Sequence, residues 1–350
     1  MKSTISLLIM VFLLSKFSNC KEQIRITPEQ KQKLLKLKKE VSENLTKNIL
    51  PYWSAKMVDK INGGFYGRID GNDKVYPDTE KGGILNARIL WTYSSAYRVL
   101  GVTSYLRMAT RAKDYILAHF IDSQFGGAYR SLKADGTPSD TRKQLYTNAF
   151  FIYSLSEYSR ATGDKIALAE AMKIFDLFEK YAADREFNGY FEAFSREWVR
   201  VRDRMIGESS WLLYEAAGLL RDKKLTERLK GTGIKIANDA AEGYQHDGSM
   251  LSDKNYATTG HIRTQRSWWE QAETIVGYLN AFELTGEESY LDKSLRCWEY
   301  TKKYFIDKKN GAWFTSVSKT GVQGGDKAGF WICPYHNGRM CMEVIERVKD

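Results

Sequence analysis

The sequence predicts an all-α fold in which helix pairs are arranged around a central axis, an α/α toroid, and three observations predict it. A loop rich in glycine and aromatics recurs five times. It reads GGFYGRIDG from Gly63, GGAYRSLKADG from Gly126, NGYFEAFSREW from Asn188, EGYQHDGSM from Glu242 and NGAWFTSVSKTG from Asn310. A helical apolar pattern follows each loop, with starts near Gly83, Thr141, Gly207, Trp268 and Tyr335, spaced by 58, 66, 61 and 67 residues. Only five prolines occur in 350 residues, so long helices run with few interruptions. An open helical solenoid would carry the same repeat.

Taken in order, the chain opens with Lys2 and the apolar run Ile5 to Leu14, followed by SKFSNC ending at Cys20. A short basic region, an apolar core too short to span a bilayer and a small-residue zone read as an export signal over residues 1–20. Cys20 stands where a lipoprotein signal places its lipidated cysteine, although Phe17 and Asn19 depart from the usual residues. Plain cleavage is the alternative. The expectation is a secreted protein, periplasmic or held to the membrane by a lipid on Cys20, with residues 21–350 as one domain.

Five outer helices are expected over 30–49, 104–121, 165–182, 225–241 and 288–305. In SYLRMATRAKDYILAHF the basic residues take one side and the apolar residues the other, as in an outer layer. The helices after the loops differ. ILNARILWTYSSAYRVL and RKQLYTNAFFIYSLSEYSR are apolar or aromatic nearly all round, as in helices buried on both sides. The formal charge of +10 is scattered, and its densest runs, KQKLLKLKKE and REWVRVRDR, carry no nucleic-acid motif. Cys297, Cys333 and Cys341 are odd in number and lack paired spacing, so neither a disulfide framework nor a zinc site is expected.

Polar residues interrupt the inner helices near their starts. Arg88 lies three residues before Trp91, Glu208 three before Trp211, and Trp269 four before Glu273, so each pair shares a helix face. Tyr146 stands at a similar level. Aromatic and charged groups on buried helices suit a carbohydrate pocket, because sugar rings stack on aromatic faces and hydroxyls bind charged groups. Internal salt bridges, such as Arg88 with Glu208 or Glu273, would answer the same burial cost. The stretch FWICPYHNGRMCM places His336, one of four histidines, where a loop enters a helix beside Trp331. There it either serves as a general acid or base or caps the helix.

GGILNARILWTYSSAYRVLG, DTRKQLYTNAFFIYSLSEYSRATG, WWEQAETIVGYLNAFELTG and FWICPYHNGRMCMEVIER together resemble the N-acylglucosamine 2-epimerase superfamily, and within it the cellobiose 2-epimerases, from about Leu35 to the end. The resemblance implies an (α/α)6 barrel and epimerisation at C2 of the reducing-end sugar of a β-1,4-linked disaccharide, without a redox cofactor or metal. It implies Arg88, Tyr146, Trp211, Trp269 and Trp331 as substrate-binding residues. It implies Glu208, Glu273 and His336 as catalytic residues, His336 being one of two acid/base histidines.

The chain departs from that pattern in two respects. Five units are legible where the family has six, and Met205 stands where the second histidine is expected, three residues before Glu208. Weak or absent turnover with sugar binding retained is therefore expected. A non-catalytic sugar-binding lipoprotein and an α/α-toroid glycosidase built on Glu208 and Glu273 are the alternatives.

Overall fold

The computed structural model describes residues 26–185, 189–201, 231, 233–254 and 262–350. The segment expected to be an export signal, with Cys20, the inner helix expected near Gly207 and His261 lie outside the described residues.

Four inner helices are present among the described residues: α3 (Gly83–Leu100), α5 (Leu145–Thr162), α7 (Trp268–Thr285) and α9 (Tyr335–Arg347). Their outer companions are α1 (Pro28–Asn44), α4 (Thr103–Tyr115), α6 (Lys165–Leu177) and α8 (Glu288–Tyr304). A short α2 (Leu50–Lys56) continues α1 beyond a π-helical turn at Leu45–Ile49. Within the outer helix expected at 225–241, residues 233–239 are helical. Inner helices α3 and α5 pack side by side, as do α3 and α9, and α9 and α7. Every residue of α3 from Gly83 to Ala96 is buried, which explains why that segment lacks a polar face.

Local chemistry sets the helix ends. Thr27 and Gln30 form a reciprocal capping box on α1, and Ser267 with Glu270 does the same on α7. Gly101, Gly163 and Gly286 close α3, α5 and α7 in the left-handed conformation, where a Cβ would be strained. The expected start near Thr141 moves to Leu145, because Lys143–Gln144 is taken up by an extended pair.

That pair is one of a series. Strand β1 (Lys81–Gly82) pairs antiparallel with β2 (Ser131–Leu132), and β3 (Lys143–Gln144) with β4 (Ala193–Phe194). Strand β5 (Arg266–Ser267) pairs with β6 (Ser316–Val317), which also pairs with β7 (Gln323–Gly324). The entries of α3, α5 and α7 are thus each stitched to a later glycine-aromatic loop. The last entry returns to the first loop through a bridge between Ile69 and Ala328. This seam closes the chain between its last and first units, so the open solenoid is excluded there.

Buried ion pairs lock these seams. Lys81 binds Asp59 at 2.8 Å, Lys143 binds Asp122 at 2.9 Å and Lys327 binds Asp307 at 2.6 Å. All three ammonium groups are fully buried. Each aspartate also accepts backbone N–H groups from its own turn, those of Ile61 and Asn62, Gln124 and Phe125, and Lys309 and Asn310. Burial pushes the Asp122 carboxyl up, but hydrogen bonds from Arg196 and Lys143 outweigh it and hold the group well below the usual range. Arg266 takes the equivalent place in the fourth unit, 3.5 Å from Asp247.

Candidate active site

The four described inner helices enter at one end of the ring, and their first turns bring together residues distant in sequence. On α9, His336 is buried, and its Nδ1 lies 2.7 Å from Glu273 Oε1 on α7. The same carboxylate oxygen accepts from Arg339, whose guanidinium also donates to the Tyr335 hydroxyl. A carboxylate only accepts, so Nδ1 carries the hydrogen and Nε2 keeps its lone pair. His336 is not a helix cap: α9 has no side-chain cap at Pro334.

Burial, joined by the Arg88 and Arg339 charges, outweighs the hydrogen bond that His336 makes to Glu273 and lowers the His336 pKa to about 4. The ring is therefore neutral near pH 7. Trp269 and Trp268 wall it in, with ring centroids 5.8 and 6.4 Å from the imidazole.

The second half of the site centres on Arg88 of α3. Its guanidinium donates to the Tyr146 hydroxyl at 3.1 Å and to the Trp331 carbonyl at 3.2 Å, and it lies over the Phe150 ring at 4.3 Å. Among the described residues Arg88 meets neutral groups alone, and its buried Nε has no hydrogen-bond partner. Of the alternative salt bridges, Arg88 with Glu273 does not form, because Arg339 takes that carboxylate, and Arg88 with Glu208 lies outside the described residues. Tyr146 and Trp331 approach at 6.0 Å between ring centroids, and Trp331 keeps 40% of its surface exposed at the rim.

Arg88, Tyr146, Trp269, Glu273, Trp331 and His336 thus share one mouth. Glu208 and Trp211 lie outside the described residues. Of the other histidines, His119 stacks on Tyr115 beside Gly136, and His246 is exposed in a loop. Three members of the site went unread in the sequence. Arg339 stands three residues after His336 inside the quoted PYHNGRM, so helical spacing alone would have placed it on the same face. Tyr335 stacks edge-on to Trp91 at 5.0 Å and forms the base of the Arg88 aromatic cluster. Glu192, from the third glycine-aromatic loop, receives the Tyr146 backbone N–H at 3.4 Å, and burial raises its pKa.

A neutral imidazole with a free nitrogen, oriented by a carboxylate, can abstract a proton. A guanidinium that meets no carboxylate among the described residues can stabilise an oxyanion. Aromatic walls suit a sugar.

Residues 64–206 and 206–336 match the N-acylglucosamine 2-epimerase (GlcNAc 2-epimerase) family. The chain is 41% identical to a cellobiose 2-epimerase of Bacteroides fragilis, with 88% of this chain and 98% of that protein covered. It is 33% identical to a cellobiose 2-epimerase of Ruminococcus albus, with 89% and 99% covered. Among solved structures, a sugar epimerase from a ruminal bacterium superposes with a TM-score of 0.84 at 31% identity, covering 90% of this chain and all of that one. Cellobiose 2-epimerase from Bacillus thermoamylovorans B4167 gives 0.80 at 30% identity, covering 89% and 100%. The two family segments meet at residue 206. The alignment with the B. fragilis protein runs to 387 residues, more than the 350 of this chain, and so opens gaps within it.

Proposed function

The chain belongs to the N-acylglucosamine 2-epimerase family and is an enzyme of the epimerase class, and from that premise we propose that it inverts C2 of the reducing-end sugar of a β-1,4-linked disaccharide, cellobiose or mannobiose. The observation that carries this reading is the His336–Glu273 pair, 2.7 Å apart, with the Nε2 lone pair left available inside an aromatic mouth. The sugar opens to its aldehyde. His336 Nε2 removes the proton at C2, and the charge passes to the carbonyl oxygen as an enediolate. Arg88 stabilises that oxyanion. Rotation about C2–C3 and reprotonation give the epimer. Glu273 holds the imidazole in its productive tautomer and offsets the charge that His336 gains, and Arg339 positions Glu273.

Reprotonation from the opposite face calls for a second acid. Met205 occupies the position where the family resemblance places a second histidine. The matched segments meet at residue 206, and the alignment with a longer relative opens gaps. Both support the loss of about one helix pair at the 204–208 junction. We infer that deprotonation at C2 outruns net epimerisation in this chain.

Incubation with cellobiose and with mannobiose in heavy water tests the reading. Deuterium at C2, with a slower rise of the 2-epimer, is expected. Release of monosaccharides would replace the reading with a glycosidase, and binding with neither exchange nor epimer would leave a sugar-binding protein. The export segment supports a second proposal, a lipid anchor on Cys20. Cys20→Ser is expected to release the protein from membranes, and equal retention of the variant would overturn it.

A further inference from the structure

Trp331 borders a second space. Outside the ring mouth lies a cavity of about 440 Å³, with Arg68, Thr79, Glu80, Asp326, Phe330 and Trp331 among its lining residues. None of these except Trp331 belongs to the proton-transfer site. The cavity walls are of two kinds. Phe330 and Trp331, 5.8 Å apart between ring centroids, supply apolar surface. Phe330 is held from behind by the Arg130 guanidinium at 4.8 Å. Opposite in chemistry, Arg68 and Asp326 form a two-pronged ion pair at 2.7 and 3.2 Å, still partly open to solvent. Glu80 adds a carboxylate already oriented by the hydroxyls of Ser131 and Ser139.

Aromatic surface beside a fixed set of donors and acceptors is what a pyranose ring requires. Its C–H face stacks, and its hydroxyls both donate and accept. An anionic ligand would face the Asp326 and Glu80 carboxylates, and a fully apolar one would leave the ion pair desolvated. Direction decides which sugar unit arrives here. If chemistry occurs at the reducing end, near His336, then the chain of a longer saccharide leaves by its non-reducing end. That end passes over the half-exposed Trp331 and into this cavity.

We propose that the cavity is a subsite for the third sugar of a β-1,4-linked oligosaccharide, so that the enzyme prefers trisaccharides to disaccharides. This rests on the disaccharide reading above. Calorimetric titration of the full chain with cellobiose and cellotriose, and with mannobiose and mannotriose, tests it. At least one trisaccharide is expected to bind about fivefold or more tightly than its disaccharide. Thr79→Trp, which fills the cavity from a loop, is expected to abolish that gain and leave disaccharide affinity within twofold. Arg68→Ala is expected to reduce the gain in the same direction, and circular dichroism confirms that each variant is folded. Disaccharide binding with no trisaccharide gain, or an equal loss for both lengths in Thr79→Trp, would overturn the subsite alone. Failure of every saccharide to bind would overturn both the subsite and the reading beneath it.

Discussion

Helix α3 carries two arginines, Arg88 near its start and Arg98 near its end, about 15 Å apart along the axis. Their surroundings differ. At the floor, Arg98 donates to Glu157 at 2.8 Å and to Glu346 at 3.0 Å, and to the Ser95 hydroxyl at 3.2 Å. Arg347 beside it binds Glu283 at 2.7 Å and Glu343 at 3.0 Å. These pairs link α3, α5, α7 and α9, so the floor network fastens the four described inner helices. At the mouth, Arg88 is more deeply buried and yet meets no carboxylate among the described residues. A buried cation without a counter-charge is costly unless something arrives to meet it. The same residue type on the same helix meets carboxylates at one end and, among the described residues, only neutral groups at the other.

Exchanging one residue at each end should separate the two roles. The largest effect is expected at the mouth. His336→Gln keeps an amide donor toward Glu273 but has no basic nitrogen. Deuterium incorporation at C2 should fall by about a thousandfold, within the range that general-base removal spans, with the thermal midpoint little changed. Loss of exchange accompanied by a large fall in the midpoint would make the residue structural.

At the floor the expectation reverses. Arg98→Met leaves Glu157 with Arg160, at 3.4 Å, as its remaining cation and takes a partner from Glu346. Stability should fall by about 2 to 3 kcal/mol, reduced from the cost of breaking a fully buried pair because Arg98 retains some exposure. Exchange per folded molecule should not change. Urea unfolding read beside the exchange rate decides, and a drop in exchange at equal folded fraction would mean that the floor transmits to the mouth.

How far the sequence disclosed this contrast follows from what each end is made of. Gly83, Trp268 and Tyr335 begin inner helices where the apolar periodicity turns on, because burial on both sides leaves an unbroken signature. The pairing of Arg88 with Tyr146 and Trp331 spans 58 and 243 residues, and no local pattern encodes it. The seam pairs were missed for a different reason. No local pattern marks Lys81, Lys143 and Lys327 as core residues, and only the folded chain shows each one buried against an aspartate about 20 residues away. Thr141 as a helix start failed because the two-residue strand that delays α5 draws its partner from Ala193–Phe194. The floor network was not read at all, since Glu157, Glu346 and Arg347 look like the polar ends of exposed helices.

A smaller effect, again at the mouth, concerns acid. In the folded chain burial first, and then the Arg88 and Arg339 charges, lower the His336 pKa to about 4, against about 6.5 for an unperturbed imidazole. Between those values the unfolded chain binds a proton that the folded chain refuses. The stability contributed by the neutral ring is therefore complete above pH 6.5 and is lost as the pH falls toward 4, at up to about 1.4 kcal/mol per unit. His336→Gln has no such titration, so its urea midpoint should decline less over that window than that of the parent. Parallel declines would assign the acid sensitivity to other groups.

The smallest effect distinguishes two aromatic surfaces of the mouth. Trp91 is buried between Tyr153, stacked at 5.4 Å, and Tyr335, edge-on at 5.0 Å, so it serves packing. Trp331 has 40% of its surface exposed at the rim, with Tyr146 and Phe330 beside its ring. Its carbonyl, not its ring, receives Arg88, so removing the side chain leaves that hydrogen bond in place. Trp331→Ala should therefore weaken disaccharide binding about fivefold, near 1 kcal/mol of lost stacking surface, without lowering the thermal midpoint. Trp91→Ala should do the opposite, lowering the midpoint through the cavity it leaves. Titration of both variants with cellobiose settles the division, and unchanged affinity in Trp331→Ala would move the sugar away from the rim and toward the Trp268 and Trp269 wall around His336.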